Sequence, residues 1–319
     1  MSLGCAPRAR ILLKARPTPE QLADRLRPPR PEGLELYLDG RDIATPAARA
    51  ALVERVRACA LPPDFALVVE GPIRGLDGAY FDLADPRPAN RALFEVLAEL
   101  GAELGATGLV IHAIVPRFAL AWDPAERAAI LARCATLLGA YVAAARARGL
   151  VPTLENVPPV LRMREARYLY TPVGMSPEDM VWLLDRAPGL AATLDVSHAQ
   201  LYVNARRAAD AEGAAEPGIA ALYAYLRHLP PIAGIERFVE ALADRLFEVH
   251  VSNAAGLLGE GLPYGEGDLD LDALIVRLAR HARFLVTETL EADHDRAVRM
   301  REAQARMAAA LRAAGATVP

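Results

Sequence analysis

Short apolar runs and longer amphipathic segments alternate eight times along this chain of 319 residues. The short runs have the length and composition of buried strands, and the longer segments have the spacing of helices. Strands are predicted at residues 10–15, 34–39, 65–70, 108–114, 151–156, 191–196, 246–252 and 283–289. Helical crossovers make consecutive strands run parallel, and eight such units are the number that closes a barrel.

We therefore predict an α/β fold, a single (β/α)8 TIM barrel that occupies residues 1–319 as one domain. An open doubly wound sheet is the alternative, but no G-x-G-x-x-G follows the first strand and each strand is followed by a helix. No linker rich in Gly or Ser marks a domain boundary. In such barrels the active site lies at the carboxyl ends of the strands.

Several predicted helices carry start signals, such as Thr18 before Pro19 and Ser176 before Pro177. Helices are predicted at residues 18–26, 46–60, 88–105, 123–148, 176–186, 216–227, 235–243, 271–281 and 294–314. The connections 158–175 and 199–218 are longer than ordinary strand-to-helix loops. Because long loops on this face are usually lids or substrate walls, we expect both to border the site.

Charge and cysteine usage exclude several classes of protein. The net charge is −4, and no basic block dominates, which argues against a nucleic-acid surface. The three cysteines are far apart without a C-x-x-C pair, so reduced thiols in a cytoplasmic protein are expected. We predict neither a signal peptide nor a transmembrane span, and therefore no membrane partner. The oligomeric state is left open, with a homo-oligomer among the alternatives.

Four metal-capable side chains stand at the ends of the last four predicted strands: Glu155, Asp195, His250 and Glu288. Three carboxylates and one imidazole suit one divalent ion, with Mn²⁺, Mg²⁺, Co²⁺ and Zn²⁺ as alternatives. Each residue alone could be an ordinary polar strand end. Their equivalent positions on consecutive strands favour a metal site, whose Lewis acidity serves proton abstraction next to a carbonyl.

Further residues are candidates for contact with a substrate. His198 follows Asp195 by three residues and would line the same mouth, although a structural histidine is the alternative. His112 lies on the fourth predicted strand, where a functional and a core-edge role are equally compatible with the pattern. Arg162 in the fifth connection could hold a phosphate or carboxylate, or simply face solvent.

These residues lie in motifs that resemble the xylose-isomerase-like TIM-barrel superfamily of sugar (phosphate) isomerases and epimerases. The motifs are L-E-N, L-D-V-S-H, V-H-V-S-N, P-Y-G-E-G-D-L-D and T-E-T. The resemblance implies that Glu155, Asp195, His250 and Glu288 hold one divalent metal. It also implies that Glu155 and Glu288 face each other across the substrate as an acid/base pair, and that His198 binds a substrate oxygen.

Departures from the superfamily pattern bear on the substrate. Gly259 and Gly261 stand where the apurinic endonucleases carry an Asp-x-His pair, and the third strand has no histidine. Val157 replaces the histidine that is usual in dehydroshikimate dehydratases. Members often have an aspartate a few residues after His250, where this chain has Asn253. We expect Asn253 to contact the substrate by hydrogen bonding, without the charge of the aspartate.

The expected function is a metal-dependent isomerase or epimerase that acts on a small sugar or sugar-like polyol by proton transfer next to a carbonyl. A metal-dependent dehydratase of a cyclic polyol or a dehydroshikimate-like substrate is the alternative. A non-catalytic sugar-binding barrel and an apurinic endonuclease are less favoured. The expected partner is a small molecule and not a nucleic acid.

Overall fold

The computed structural model describes residues 9–162, 167–211 and 216–315, without the side chain of Arg162. Its strands are β1 (Arg10–Ala15), β2 (Gly33–Tyr37), β3 (Ala66–Glu70), β4 (Gly108–His112), β5 (Val151–Glu155), β6 (Val160–Arg162), β7 (Tyr168–Tyr170), β8 (Ala191–Asp195), β9 (Leu246–Val251), β10 (Asn253–Ala255), β11 (Gly259–Leu262) and β12 (Phe284–Thr287). Eight of them form a closed barrel in the order β1-β12-β9-β8-β5-β4-β3-β2, and every neighbouring pair is parallel. The predicted TIM barrel is confirmed.

The helices form the outer layer that parallel strands require. They are α1 (Pro19–Arg25), α2 (Gly40–Ile43), α3 (Pro46–Ala58), α4 (Pro88–Leu104), α5 (Pro124–Arg146), α6 (Pro177–Arg186), α7 (Val196–Ala211), α8 (Pro217–Leu226), α9 (Glu236–Leu242), α10 (Leu271–Leu278) and α11 (Val298–Ala313). The start signals act as predicted: the Ser176 hydroxyl accepts the N–H of Asp179, and Pro177 occupies the first turn of α6. By length and composition α5 could cross a membrane, but here it packs against α4 and β5.

The barrel interior changes from apolar to ionisable along the strand direction. Its lower part is a separate cluster made of Leu12, Ala66, Val68, Val110, Phe247, Phe284 and Val286. Two residues further along β1 and β3 stand Lys14 and Glu70, on the same strand faces as Leu12 and Val68. Lys14 contacts Glu70 across the intervening β2, so both side chains point into the barrel. The ionisable layer therefore lies on top of an apolar plug.

The prediction that residues 199–218 form a long loop is wrong. α7 begins directly after β8, because the carboxylate of Asp195 accepts the N–H of His198 at 2.7 Å and satisfies the first turn of the helix. The 158–175 connection is not plain loop either, since β6 and β7 pair as an antiparallel hairpin. A second hairpin, β10 with β11, follows β9 and was not predicted.

Candidate metal centre

The side chains of Glu155, Asp195, His250 and Glu288 converge at the carboxyl ends of the strands. Each offers one donor atom, and all four atoms lie within 4.8 Å of one another. Glu155 and Asp195 end β5 and β8, His250 lies near the end of β9, and Glu288 directly follows β12. Because these four strands are neighbours in the barrel, their ends meet at one point.

Three of the four residues of this cluster have donor atoms without a hydrogen-bond partner in the described part of the chain. Both carboxylate oxygens of Glu155, Nδ1 of His250 and Oε2 of Glu288 are buried without a partner among the described residues. His250 Nδ1 and Glu288 Oε2 are only 2.7 Å apart, yet they are not aligned as a hydrogen bond. Buried polar atoms are nearly always satisfied, so this set fits a divalent cation, and its mixed oxygen and nitrogen donors do not select one metal.

Glu35 on β2 holds the imidazole of His250 from the opposite side. His250 Nε2 lies 2.9 Å from Oε2 of Glu35 and 3.4 Å from Oε1 of Glu248. An N–H at Nε2 donates to Glu35, which leaves Nδ1 free to face the metal centre. A carboxylate behind a ligating histidine fixes its tautomer and its basicity. Glu35 and Glu248 were missed by the sequence prediction, although each interrupts an otherwise apolar strand.

Replacement of Glu35 by glutamine is expected to weaken metal binding. The neutral amide is a poorer acceptor for the Nε2–H of His250, so the imidazole becomes a weaker ligand. Loss of such an outer partner typically costs roughly 10–100-fold in metal affinity. Competition with a chelator measures the effect. Glu54→Gln is the matched control, since its side chain is 75% exposed on α3, and equal affinities of the two variants would refute the role assigned to Glu35.

Groups of opposite charge lie in close contact in this cluster and shift one another's pKa. Burial lowers the pKa of His250, but the carboxylates of Glu35, Glu288 and Glu155 raise it well above its usual value. Burial raises the pKa of Asp195 to about 7. His198 lowers this pKa, whereas Glu288 and Glu155 raise it further. Burial raises the pKa of Glu248 to about 8, assisted by Glu35. Without a metal ion, a protonated His250 therefore offsets part of the negative charge.

His198 lies beside the centre at the start of α7. Its Nδ1 is 3.0 Å from the backbone oxygen of Asn156, 3.4 Å from Oε1 of Glu155 and 3.5 Å from Oδ2 of Asp195. Its Nε2 faces Glu260 of β11 at 3.7 Å. Burial lowers the pKa of His198, but Asp195 and Glu155 raise it to about 10. The ring therefore bridges the four-residue centre and the β10–β11 hairpin.

Asn156 fixes the relative position of β5 and β8 at this mouth. Its Oδ1 accepts the backbone N–H of Asp195 at 2.9 Å, and its Nδ2 donates to the backbone oxygen of Asp195 at 3.0 Å. Both bonds are buried and continue the pairing of the two strands beyond Glu155. The asparagine of the L-E-N motif thus positions two ligand-bearing strand ends.

The remaining predicted site residues have different surroundings. His112 lies against the centre, with Nε2 3.3 Å from Oε1 of Glu70 and 3.4 Å from Oε2 of Glu155, and burial lowers its pKa. The amide of Asn253 instead accepts the N–H groups of Ala254 and Leu269 and donates to the oxygen of Leu269. This geometry does not support the expected substrate contact of Asn253, because its buried amide already forms hydrogen bonds with the backbone of the loop. The side chain of Arg162 lies outside the described part of the chain.

A cavity of about 420 Å³ opens above the centre. Asp195 and Glu288 line it together with His112 and His198, whereas Glu155 and His250 are fully buried beneath. Its walls also contain apolar side chains, among them Ile73, Ile114, Val157 and Leu161. A concave site of this size, with a few converging polar groups, is suited to a small molecule.

Comparison with known proteins places these observations in a family. The profile described as xylose isomerase-like TIM barrel matches residues 32–313. A search of curated protein sequences finds no significant match. Among solved structures, a D-tagatose 3-epimerase-like protein has a TM-score of 0.65 at 15% identity, covering 96% of this chain and 99% of its own.

Two further structures cover nearly the whole chain. The 3-keto-D-glucoside 4-epimerase from E. coli has a TM-score of 0.60 at 17% identity, over 96% of this chain and 100% of its own. Endonuclease IV from Thermus thermophilus has a TM-score of 0.56 at 15% identity, over 95% of this chain and 100% of its own. At these identities the likeness shows the fold.

Proposed function

The chain belongs to the xylose isomerase-like TIM-barrel family, and we propose that it is a metal-dependent isomerase or epimerase of a small sugar or sugar-like polyol. One observation carries the proposal: donor atoms of Glu155, Asp195, His250 and Glu288 converge at the floor of a cavity fit for a small molecule, and those of Glu155, His250 and Glu288 lack a hydrogen-bond partner among the described residues. Two structural neighbours are named as an epimerase or as epimerase-like, which supports the same interpretation.

A divalent ion held by these four residues would supply Lewis acidity toward the substrate oxygens. Of the two glutamates in this centre, Glu288 is the one that lines the cavity, and its side chain is 25% exposed. Burial raises its pKa, but Lys14 and His250 lower it to about 2, so it is ionised at neutral pH, the state that a general base requires. We assign Glu288 as one member of the acid/base pair.

Glu155 is the other member of the proposed pair. It lies three strand positions away from Glu288 around the ring and does not itself line the cavity. His112 and His198 do line the cavity, and each contacts one oxygen of Glu155, at 3.4 Å. Because these imidazoles contact Glu155 and also line the cavity, a proton exchanged between Glu155 and a substrate would pass through one of them, while the other would hold a substrate oxygen.

Two other enzymatic functions are alternatives for this site, a dehydratase and an endonuclease. A dehydratase would use the same metal ligands, and its substrate would lose water after proton abstraction. Only the identity of the product distinguishes such an enzyme from an isomerase. The likeness to endonuclease IV keeps an endonuclease as a second alternative. Against it stand Gly259 and Gly261, which offer no ligand, and the absence of a basic block in the sequence.

The proposed function predicts one bound divalent ion and exchange of carbon-bound hydrogen. Mn²⁺ at about 100 times its dissociation constant is expected to stabilise the fold by about 2.7 kcal/mol, which thermal unfolding with and without chelator measures. A panel of ketoses and polyols in D₂O should then reveal a substrate that gains deuterium next to its carbonyl. Loss of water instead would identify a dehydratase.

Two results would contradict the proposal. Absence of bound metal after soaking in Mn²⁺ would remove the basis of the chemistry. Cleavage of DNA at abasic sites, without any exchange into sugars, would favour the endonuclease. The Asp195→Asn variant is the control for loss of metal without loss of an acid/base group. It should bind metal more weakly and recover part of its activity in excess metal.

A further inference from the structure

Lys14 is the only lysine among the 36 lysine and arginine residues of this chain, and it lies inside the barrel beside the candidate metal centre. Its side chain on β1 is 9% exposed. The ammonium contacts Oε1 of Glu288 and lies 2.5 Å from Oε2 of Glu70 and 3.4 Å from Oε1 of Glu35. The other 35 of these basic residues are arginines.

The acidic groups around Lys14 could form a second cation site. Besides the four-residue centre, two overlapping sets of donors lie within 4.8 Å: Glu35 with Glu70 and His250, and Glu70 with His112 and Glu155. Glu70 belongs to both sets and is the nearest carboxylate to Lys14 other than Glu288. Lys14 therefore competes directly with any ion that these donors would bind.

Two buried oxygens show what the ammonium replaces. Oε1 of Glu35 and Oε2 of Glu70 have no hydrogen-bond partner among the described residues. These are the same two atoms that face the nitrogen of Lys14. Their contact with Lys14 is a charge contact without hydrogen-bond alignment, and buried carboxylates are costly unless a cation compensates them. The ammonium does for these oxygens what a metal ion would do.

The chemistry of the side chain explains why a lysine stands here. An ammonium is a compact point charge with donors in three directions, whereas guanidinium is a wide, planar fork. Glu35 lies on β2, Glu70 ends β3 and Glu288 directly follows β12, so the nitrogen contacts carboxylates from three separate parts of the barrel. Among basic side chains, lysine is the one whose shape resembles a bound ion.

We propose that the ammonium of Lys14 is a built-in second cation, which occupies the place of a second divalent ion and makes this a single-metal centre. The inference rests on the proposed function, because it presupposes the ion held by Glu155, Asp195, His250 and Glu288. It also bears on the class of reaction. Pairs of metal ions are typical of phosphoester hydrolysis, so a centre limited to one ion favours proton transfer on a sugar over cleavage of a nucleic acid.

The number of ions bound per chain tests this inference without any substrate. The parent protein, equilibrated with Mn²⁺ and analysed for bound metal, is expected to hold one ion. Lys14→Met removes the charge but keeps a chain of similar length, and it is expected to hold two. Mn²⁺ is the suitable probe, since this hard ion does not take a thioether ligand in place of the lysine. Arg41→Met, whose parent side chain is 83% exposed, is the control that should stay at one.

A double variant separates a true second site from loose binding. Lys14→Met combined with Glu70→Gln removes the carboxylate shared by both additional sets, so the count should return to one. One ion in Lys14→Met, or two in the parent, would overturn the inference while the proposed metal centre stands. No ion in the parent would overturn both. If Lys14→Met does not fold, two ions in the parent would still overturn the inference.

Discussion

Replacing Glu155 or Glu288 with glutamine is expected to lower turnover by roughly 10²–10⁴-fold, the usual cost of losing a group that transfers a proton. The amide keeps the shape of the side chain but cannot accept a proton at neutral pH. Glu288→Gln should suppress exchange of deuterium into the substrate directly, because Glu288 faces the cavity. Glu155→Gln should suppress the step that returns the proton through His112 or His198.

The effect on chemistry must be separated from an effect on metal binding, since both glutamates belong to the four-residue centre. Rates are therefore compared at saturating Mn²⁺, with bound metal measured in each sample. Glu126→Gln on α5 is the matched control, since this side chain is 57% exposed and does not line the cavity. Near-parental rates in both metal-loaded active-site variants would show that Glu155 and Glu288 are not the acid/base pair.

Asp179→Ala is expected to lower the free energy of unfolding by about 3–5 kcal/mol, the typical cost of leaving one member of a buried ion pair alone. The carboxylate of Asp179 contacts Arg127 of α5, and its Oδ2 accepts the N–H of Gly174 at 3.1 Å. The oxygen of Gly174 in turn accepts the N–H of Val157, which lines the cavity. Asp179 therefore anchors the segment that supports one wall of the site.

Urea unfolding of the variant measures this loss, and an unchanged dependence on urea would show that the unfolded state is not altered. Glu178→Ala is a close control. Glu178 is the preceding residue and pairs with Arg237 at 3.3 Å, but its side chain is 37% exposed and that of Arg237 is 54% exposed. Exposed pairs contribute about 0–1 kcal/mol. Equal losses in the two variants would show that Asp179 is not the anchor.

The barrel and its four converging residues were predictable because both depend on local patterns and one topological rule. Eight alternations of strand and helix specify parallel strands, and parallel strands bring their carboxyl ends to one face. Glu155, Asp195, His250 and Glu288 stand at those ends in the sequence itself. The predicted strands agree with the barrel strands except for a few residues at their ends.

Helix α7 and the hairpin β10–β11 could not be predicted in the same way. The sequence predicts a long loop over residues 199–218, but the carboxylate of Asp195 accepts an N–H of the first turn and starts a helix at Val196. The hairpin depends on Asn253, whose amide binds the backbone at Ala254 and Leu269. These are contacts between segments, and a local pattern does not specify them.

The fold, the end of the barrel that carries the site, and four side chains that meet there follow from the pattern of residues along the chain. That Lys14, Glu35, Glu70 and Glu248 join them is seen only once the barrel is closed. Parallel strands are buried on both faces, by helices outside and by side chains inside, so a charged residue within such a strand gives no sign of the face it occupies. Closure of the barrel determines which of these residues point inward. It places Lys14 in contact with Glu70 and Glu288, and Glu35 in contact with His250.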